Sequence, residues 1–268
     1  MKRNLVGIMV MVVLLFSCER VIDIDLNEAR PRIVIQANIH NLSGKCKVKI
    51  TRTGNFFQPY SPNWVSGATV SLSSDKANYL FTEKTPGVYN INKTGRLGPG
   101  SYRLKVEVDG KLYEAVSVMP NPVQISYLGY EYSEKTYLSE AGYRVNFALA
   151  DPENEKNYYR VRYSVSGKLQ NDDNDYYLIS DDLFNGKAVQ MQLYGKRFDK
   201  GDTVAVELMS IDKSTFDYFN MLLEVISQNA IESAAPANPT SNFSNGALGY
   251  FSAYSSDTKM IIIGESNQ

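Results

Sequence analysis

Between Tyr102 and Val108 the sequence alternates residue by residue. Tyr102, Leu104, Val106 and Val108 are apolar, and Arg103, Lys105 and Glu107 between them are charged. A period of two places the apolar set on one face of an extended strand and the charged set on the other, so this chain builds half-buried β-structure. Asp109-Gly110 follows, a pair that takes the positive φ angles of a two-residue hairpin turn, and Leu112 to Val118 reads as the returning strand. The pattern recurs in both directions. Ile33, Ile35, Ala37 and Ile39 share a face, as do Ala68, Val70 and Leu72. Beyond residue 140 the apolar sets are Tyr143, Val145, Phe147 and Leu149; Tyr159, Val161, Tyr163 and Val165; Val189, Met191 and Leu193; and Val204, Val206 and Leu208.

Met119-Pro120-Asn121-Pro122 breaks the series, because two prolines so close together cannot both occupy a central strand. The expected fold is therefore mainly β: two consecutive β-sandwich, immunoglobulin-like domains over residues 32–119 and 123–268. One segment departs from the alternation. Phe216, Phe219, Leu222, Leu223, Ile226 and Ala230 recur at helical spacing, which predicts an α-helix over about residues 214–230 packed on the second sandwich. Ser214 and Asp217 have the spacing of a capping box at its start. Residues 232–249 read as a loop, with Phe251, Ala253 and Met260 to Ile263 available as closing strands. No period of about 20–50 residues repeats, which excludes a solenoid or propeller.

The N-terminus carries an address. Lys2 and Arg3 precede an apolar run from Leu5 to Phe16, shorter than the roughly 20 residues a membrane-spanning helix needs. It ends in Leu15-Phe16-Ser17-Cys18, with a leucine three residues before a cysteine and a small residue between. Residues 1–17 are expected to be a signal peptide of lipoprotein type, Cys18 the lipidated first residue of the mature chain, and residues 18–31 its tether. Acylated Cys18 leaves Cys46 without a disulfide partner, and alternation places Cys46 on the inward face with Val48 and Ile50.

Chemistry is sparse. The single histidine, His40, falls on the outward side with Gln36 and Asn38 and reads as a surface residue. One histidine leaves no room for a histidine-rich metal site and makes a Ser-His-Asp arrangement hard to assemble. The motifs of zinc proteases, nucleotide-binding loops and nucleophile elbows are missing, so no catalytic residue and no cofactor is assigned. Two acidic groups, Asp151, Glu153 and Glu155, and Asp172, Asp173 and Asp175, have the oxygen chemistry of a calcium site, but neither has a known calcium-loop spacing. They are read as solvated turns, and no metal is assigned. The formal charge of −1 with no basic block gives no electrostatic reason to expect nucleic acid. Phe56, Phe57, Tyr60 and Trp64 are the candidate ligand-binding residues. They cluster around Pro59 and Pro62, either as an exposed aromatic platform or as a plug closing one end of the first sandwich.

Several short stretches together resemble a bacterial family. They include Pro31-Arg32-Ile33-Val34-Ile35, Val48 to Thr53 followed by Phe56-Phe57, and Ser66-Gly67-Ala68-Thr69-Val70. Gly87-Val88-Tyr89, Gly100 to Leu104, Gly201-Asp202 and Gly246 to Phe251 follow in the same order. With the lipoprotein signal, the chain resembles the Bacteroidetes lipoproteins grouped as domain of unknown function 4249. The resemblance implies an outer-membrane lipoprotein, often found near TonB-dependent transporters, and carries no catalytic residue across. Asp202-Thr203-Val204 also looks like that phylum's O-glycosylation acceptor, although the plain turn reading suits it better. The expected function is a non-enzymatic, outer-membrane-anchored protein with a binding or assembly role, accessory to such a transporter. A surface glycan or peptide hydrolase using carboxylates alone, and an adhesin or surface structural component, are the alternatives. Glu19-Arg20 after the cysteine is not an acid-rich export tether, so neither face of the membrane is singled out.

Overall fold

A computed structural model describes residues 31–42, 46–54, 62–91, 95–137, 140–153, 155–171, 176–228 and 238–264. Among the described residues the chain is mainly β, with one α-helix near the C-terminus. Its first eight strands are β1 (Ile33–His40), β2 (Lys47–Arg52), β3 (Asn63–Trp64), β4 (Thr69–Ser74), β5 (Asn78–Thr85), β6 (Val88–Ile91), β7 (Gly100–Val108) and β8 (Lys111–Met119). They pair in the order β1-β2-β6-β5-β4-β7-β8, with short β3 added beside β2. Alternation sets the register: Ile35 lies opposite Ile50 and Ala37 opposite Val48, so the inward face of the pair is apolar along its middle. Asp109 and Gly110 have φ of 53° and 69°, the doubly positive turn expected between β7 and β8.

The second half contains β9 (Ile125–Ser133), β10 (Gly142–Ala150), β11 (Tyr158–Val165), β12 (Lys168–Leu169), β13 (Tyr177–Ser180), β14 (Ala188–Gln192), β15 (Thr203–Ile211), α1 (Lys213–Gln228) and β16 (Leu248–Ile262). A three-stranded sheet, β14-β10-β9, covers the layer formed by β11, β15 and the end of β16. Between them lies an apolar cluster that includes Phe147, Tyr159, Tyr163, Phe198 and Leu208. Tyr163 and Phe198 meet edge to face with centroids 6.1 Å apart, which suits the quadrupoles of the two rings.

β16 joins the halves. From Leu248 to Tyr254 it pairs in parallel with β1, and from Ser255 to Ile262 it pairs antiparallel with β15. The expected division at residues 119–123 marks where the chain leaves the first core. However, Phe243, Ala247, Phe251 and Ala253 return to that core, so the two halves are interlocked as well as consecutive. The two expected closing strands are one. Their continuity is hidden in the sequence because Ser252, Ala253, Tyr254 and Ser255 are buried on both faces of the sheet, which erases the polar half of the alternation. Across the first core, β8 rolls back to β16: Ala253 N donates to Ser117 Oγ at 2.8 Å, and Ser244 N donates to the Glu114 carbonyl at 2.8 Å. The rolled sheet thereby encloses its own core.

The helix begins one residue before its expected start, and its cap differs. Asp212 accepts from Thr215 N at 2.9 Å and from Ser214 Oγ at 3.0 Å, so Asp212 is the cap and not Ser214. Asp217 instead takes Lys213 Nζ at 2.6 Å on the surface. The other Asp212 oxygen accepts from Ser117 Oγ at 2.7 Å and Val118 N at 2.9 Å. One carboxylate thus ties the helix start to β8 of the first core.

Candidate functional site

A network of largely covered charged side chains lies on the face of the sheet opposite the cores, where β1, β16, β15 and β11 run side by side. His40 was expected at the surface and is instead fully buried. The period-two reading placed it on the correct face. The face itself is covered there, because β16 brings Tyr254 against the imidazole, edge to face at 4.9 Å, with Ser256 and Glu207 beyond.

The hydrogen bonds fix the ring's tautomer. Leu42 N donates to His40 Nδ1 at 2.7 Å, so that nitrogen carries no proton. Nε2 then holds the proton and gives it to Ser256 Oγ at 2.8 Å, and Ser256 donates to Glu207 Oε1 at 3.0 Å. The second Glu207 oxygen takes Arg162 Nη2 at 2.5 Å and Nε at 3.1 Å. Burial opposes ionisation of Glu207, but His40, Arg162 and Ser256 together outweigh it and hold the carboxyl at about 2. A nucleophilic relay needs serine donating to histidine, and histidine donating from its other nitrogen to the carboxylate. Here the order is histidine to serine to carboxylate, and the other nitrogen is closed by a backbone N–H. The network cross-links four strands, β1, β16, β15 and β11, and its proton order differs from that of such a relay.

Arg160, one step away on the same face of β11, lies over the Phe219 ring of α1 at 3.9 Å from its centroid. Among the described residues its Nε has no hydrogen-bond partner, and burial lowers its pKa. A planar, weakly hydrated cation tolerates this position because the aromatic face replaces some of the lost water. Tyr250 packs on both Phe219 and Tyr218 at 4.9 Å, so α1 is docked mainly through aromatic rings.

Trp64 occupies the opposite situation, on an exposed and firmly built edge. Its strand β3 pairs with Thr51 and Arg52 of β2. The indole rests on Gly87, where a Cβ would lie 2.9 Å from Trp64 Cε3 and 2.6 Å from the Ile50 carbonyl, at a backbone φ of +71°. Only glycine fits there. Glu83 accepts from Gly67 N at 3.1 Å and Gly87 N at 2.8 Å, and these two bonds pull its carboxyl below the usual range. The buried Tyr89 hydroxyl accepts from Ala68 N at 2.9 Å and donates to the Val65 carbonyl. These bonds anchor the segment that follows Trp64, yet 40% of the tryptophan remains exposed. This is a rigid aromatic surface. Phe56, Phe57 and Tyr60, expected beside it, lie outside the described residues, as does Cys18.

Asp151, Glu153 and Glu155 do not converge on one point. Asp151 is buried, accepting from the Tyr159 hydroxyl and from Gly186 N at 3.0 Å. Burial first, and the Asp151 carboxylate second, push the Tyr159 phenol far above its ordinary range. Glu153 packs on Gly186 and Glu155 is exposed. Among the described residues no three His, Cys, Asp or Glu side chains gather as metal ligands; Asp172, Asp173 and Asp175 lie outside them. Among those residues, too, no helix is long and apolar enough to cross a membrane. A groove of about 410 Å³ runs between the halves, lined by Val118, Pro120, Lys156, Tyr158, Asp212 and Lys213. Its fully buried neighbour Asp181 takes Lys156 Nζ at 2.6 Å. Sequence reasoning missed both this groove and the histidine network, since each is assembled by residues more than 90 positions apart.

No curated protein matches this chain. A family model described as a domain of unknown function (DUF4249) matches residues 19–260, nearly the whole chain. The chain therefore belongs to the DUF4249 family.

Proposed function

We propose that this protein is a lipid-anchored component of the bacterial outer membrane that works by binding or assembly, accessory to a TonB-dependent transporter. The observation that carries the reading is the position of Cys18. It follows a charged n-region, an apolar core too short to span, and Leu15-Phe16-Ser17, and the family match starts at the very next residue. A leader outside the shared domain and a cysteine at its border are what an acylated mature N-terminus requires. The Ser256, His40 and Glu207 geometry supports a non-catalytic role, because its proton order is wrong for nucleophilic attack.

Palmitate labelling of the full chain in a bacterium that processes lipoproteins tests the anchor. Wild type takes the label and fractionates with the outer membrane, and Cys18→Ala takes none. Equal labelling of both would end the lipoprotein reading. Capture of the labelled protein from gently solubilised membranes tests the partner. Recovery with a TonB-dependent transporter is expected, and recovery alone, where other envelope complexes survive, would remove the transporter from the proposal.

A further inference from the structure

The anchor reading, taken with the fold, also orients the molecule. The described chain starts at Pro31, and its entry point is tied down. Arg32 N donates to Thr53 Oγ1 at 3.0 Å, Thr53 N donates to the Arg32 carbonyl at 2.9 Å, and Arg32 Nη2 donates to the Gly246 carbonyl at 2.7 Å. Strand directions then identify what shares that end of the first core. Ile33 pairs with Arg52, and Thr51 pairs with Trp64. Arg52 in turn forms an ion pair with Asp109 at the β7–β8 hairpin tip. Gly87, beneath the indole, belongs to the β5–β6 turn. Tether entry and Trp64 therefore lie on the same rim.

The second core lies the other way. β16 leaves this rim at Leu248 and runs 15 residues to Ile262, about 50 Å at the usual strand rise. At its far end Gly201 N donates to the Ile263 carbonyl at 2.8 Å, Phe198 bridges to Tyr143, and Tyr143 pairs with Tyr132 beside the β9–β10 hairpin. Tyr137, fully exposed in that hairpin, marks the distal tip.

We propose that the Trp64 rim is a membrane-contact surface, with the exposed indole seated in the lipid headgroup region and the second core held away from the bilayer. This rests on the lipid anchor of the preceding section. Its own support is twofold. Cys18 and Pro31 are separated by a chain that reaches at most about 45 Å, so the anchored lipid keeps this rim within reach of the bilayer. A half-exposed tryptophan, held rigidly by Gly87 and the bonds around Glu83 and Tyr89, matches the amphipathic chemistry of the membrane–water interface. The solvent-facing Leu112 at the start of β8, whose carbonyl accepts from Asn245 Nδ2 at 2.6 Å, adds apolar surface at the same end.

Trp64 is the only tryptophan in the chain, so its emission reports this rim alone. The lipidated full-length mature protein is placed in phosphatidylcholine–phosphatidylethanolamine vesicles with either ordinary or brominated acyl chains. Trp64 emission is expected to shift to the blue on reconstitution and to be quenched by the brominated chains. A Trp64→Phe/Tyr137→Trp variant moves the reporter to the distal tip and should show neither effect. Protein that carries the palmitate label and floats with the vesicles, yet leaves Trp64 unquenched, overturns the proposal while leaving the anchor standing. Equal quenching at both positions also overturns it. Protein without the label that fails to float removes the anchor, and the orientation falls with it.

Discussion

The two halves of the molecule close their cores in different ways. The first half rolls one sheet until its ends meet around a core of aliphatic side chains and rings, among them Ile35, Leu104, Tyr89 and Phe251. The second half closes a core of the same mixture, with Val161, Leu208, Phe147 and Tyr163 in it, between two separate sheets. It also carries the buried Asp151 and Asp181 and the largely covered ion pair of Arg162 with Glu207. Apolar packing specifies little about direction, whereas paired charges cost free energy whenever their geometry is lost. The difference shows where the fold needs specification, namely where β16 must change partners from β1 to β15.

The most severe way to break this division is to detach β16 from the first core. At Gly249, φ is +91° and a Cβ would stand 2.0 Å from the Ile35 carbonyl oxygen, which is backbone and cannot turn aside. Gly249→Ala should cost at least about 3 kcal/mol, in the range reserved for strained backbone and broken pairing. Phe251→Ala, at a fully buried ring in the same stretch, should cost about 3–5 kcal/mol by leaving a cavity. Urea denaturation followed by near-ultraviolet dichroism reads both. A first core that stays as stable as wild type in either variant would show that β16 is an accessory to it.

Glu207 comes next and sharpens the contrast through pH. Its carboxyl titrates at about 2 in the folded protein against an ordinary 4.5, so the unfolded chain takes up the proton first as acid is added. Its contribution is complete above about pH 4.5 and is lost as the pH falls through about 2. The shift corresponds to roughly 3 kcal/mol for a side chain that is 16% exposed and therefore little screened. Glu207→Gln should lower stability by about this amount at pH 7, since it leaves Arg162 without its counter-charge. The gap between wild type and variant should then narrow between pH 4.5 and 2. A gap of the same size at pH 7 and pH 2 would show that the network adds no charge-dependent stability.

A smaller effect is expected where the halves are joined by Asp212. Asp212→Ala removes a helix cap and the acceptor for Ser117 and Val118 together, for about 2 kcal/mol, at the upper end for caps. Asp212→Asn keeps a capping oxygen and should lose less than half as much. If the two variants lose equal stability, the charge itself, and not the cap geometry, is what holds β8 to the helix.

How much of this was legible in the sequence follows from the range of each interaction. Alternation in Tyr102–Val108 and the Asp109-Gly110 turn are decided by neighbours, so both strands and hairpin could be read directly. Cys46 likewise lies inward with Val48 and Ile50, as the period of two requires. The face opposite a core is a different matter. His40 alternates as a solvent-facing residue should, and only the arrival of Tyr254 and Ser256 from over 200 positions away makes that face an interior. The continuous β16 was illegible for the same reason: burial on both faces leaves no period to detect. Trp64 was legible as a candidate because of its residue type and setting. Its exposure depends on Gly87, 23 positions further on, and no local pattern announces that.

The least disruptive variant asks whether the two regions respond independently. Cys46 is buried at the top of the first core, and burial raises its thiol pKa while a weak contact to the His40 carbonyl at 3.6 Å lowers it. A neutral thiol among aliphatic neighbours behaves as a small apolar group. Cys46→Ala should therefore cost about 1 kcal/mol, the price of a small void. It should not change palmitate labelling, because the expected acceptor is Cys18. The loss should be the same at pH 7 and pH 2.5, since the Glu207 network is bonded to the side chain of His40 and not to the carbonyl that Cys46 touches. Denaturation of the variant at the two pH values measures this. A loss that grows or shrinks with acid would mean that the thiol's packing positions His40, and that the first core and the charged seam above it form one cooperative unit.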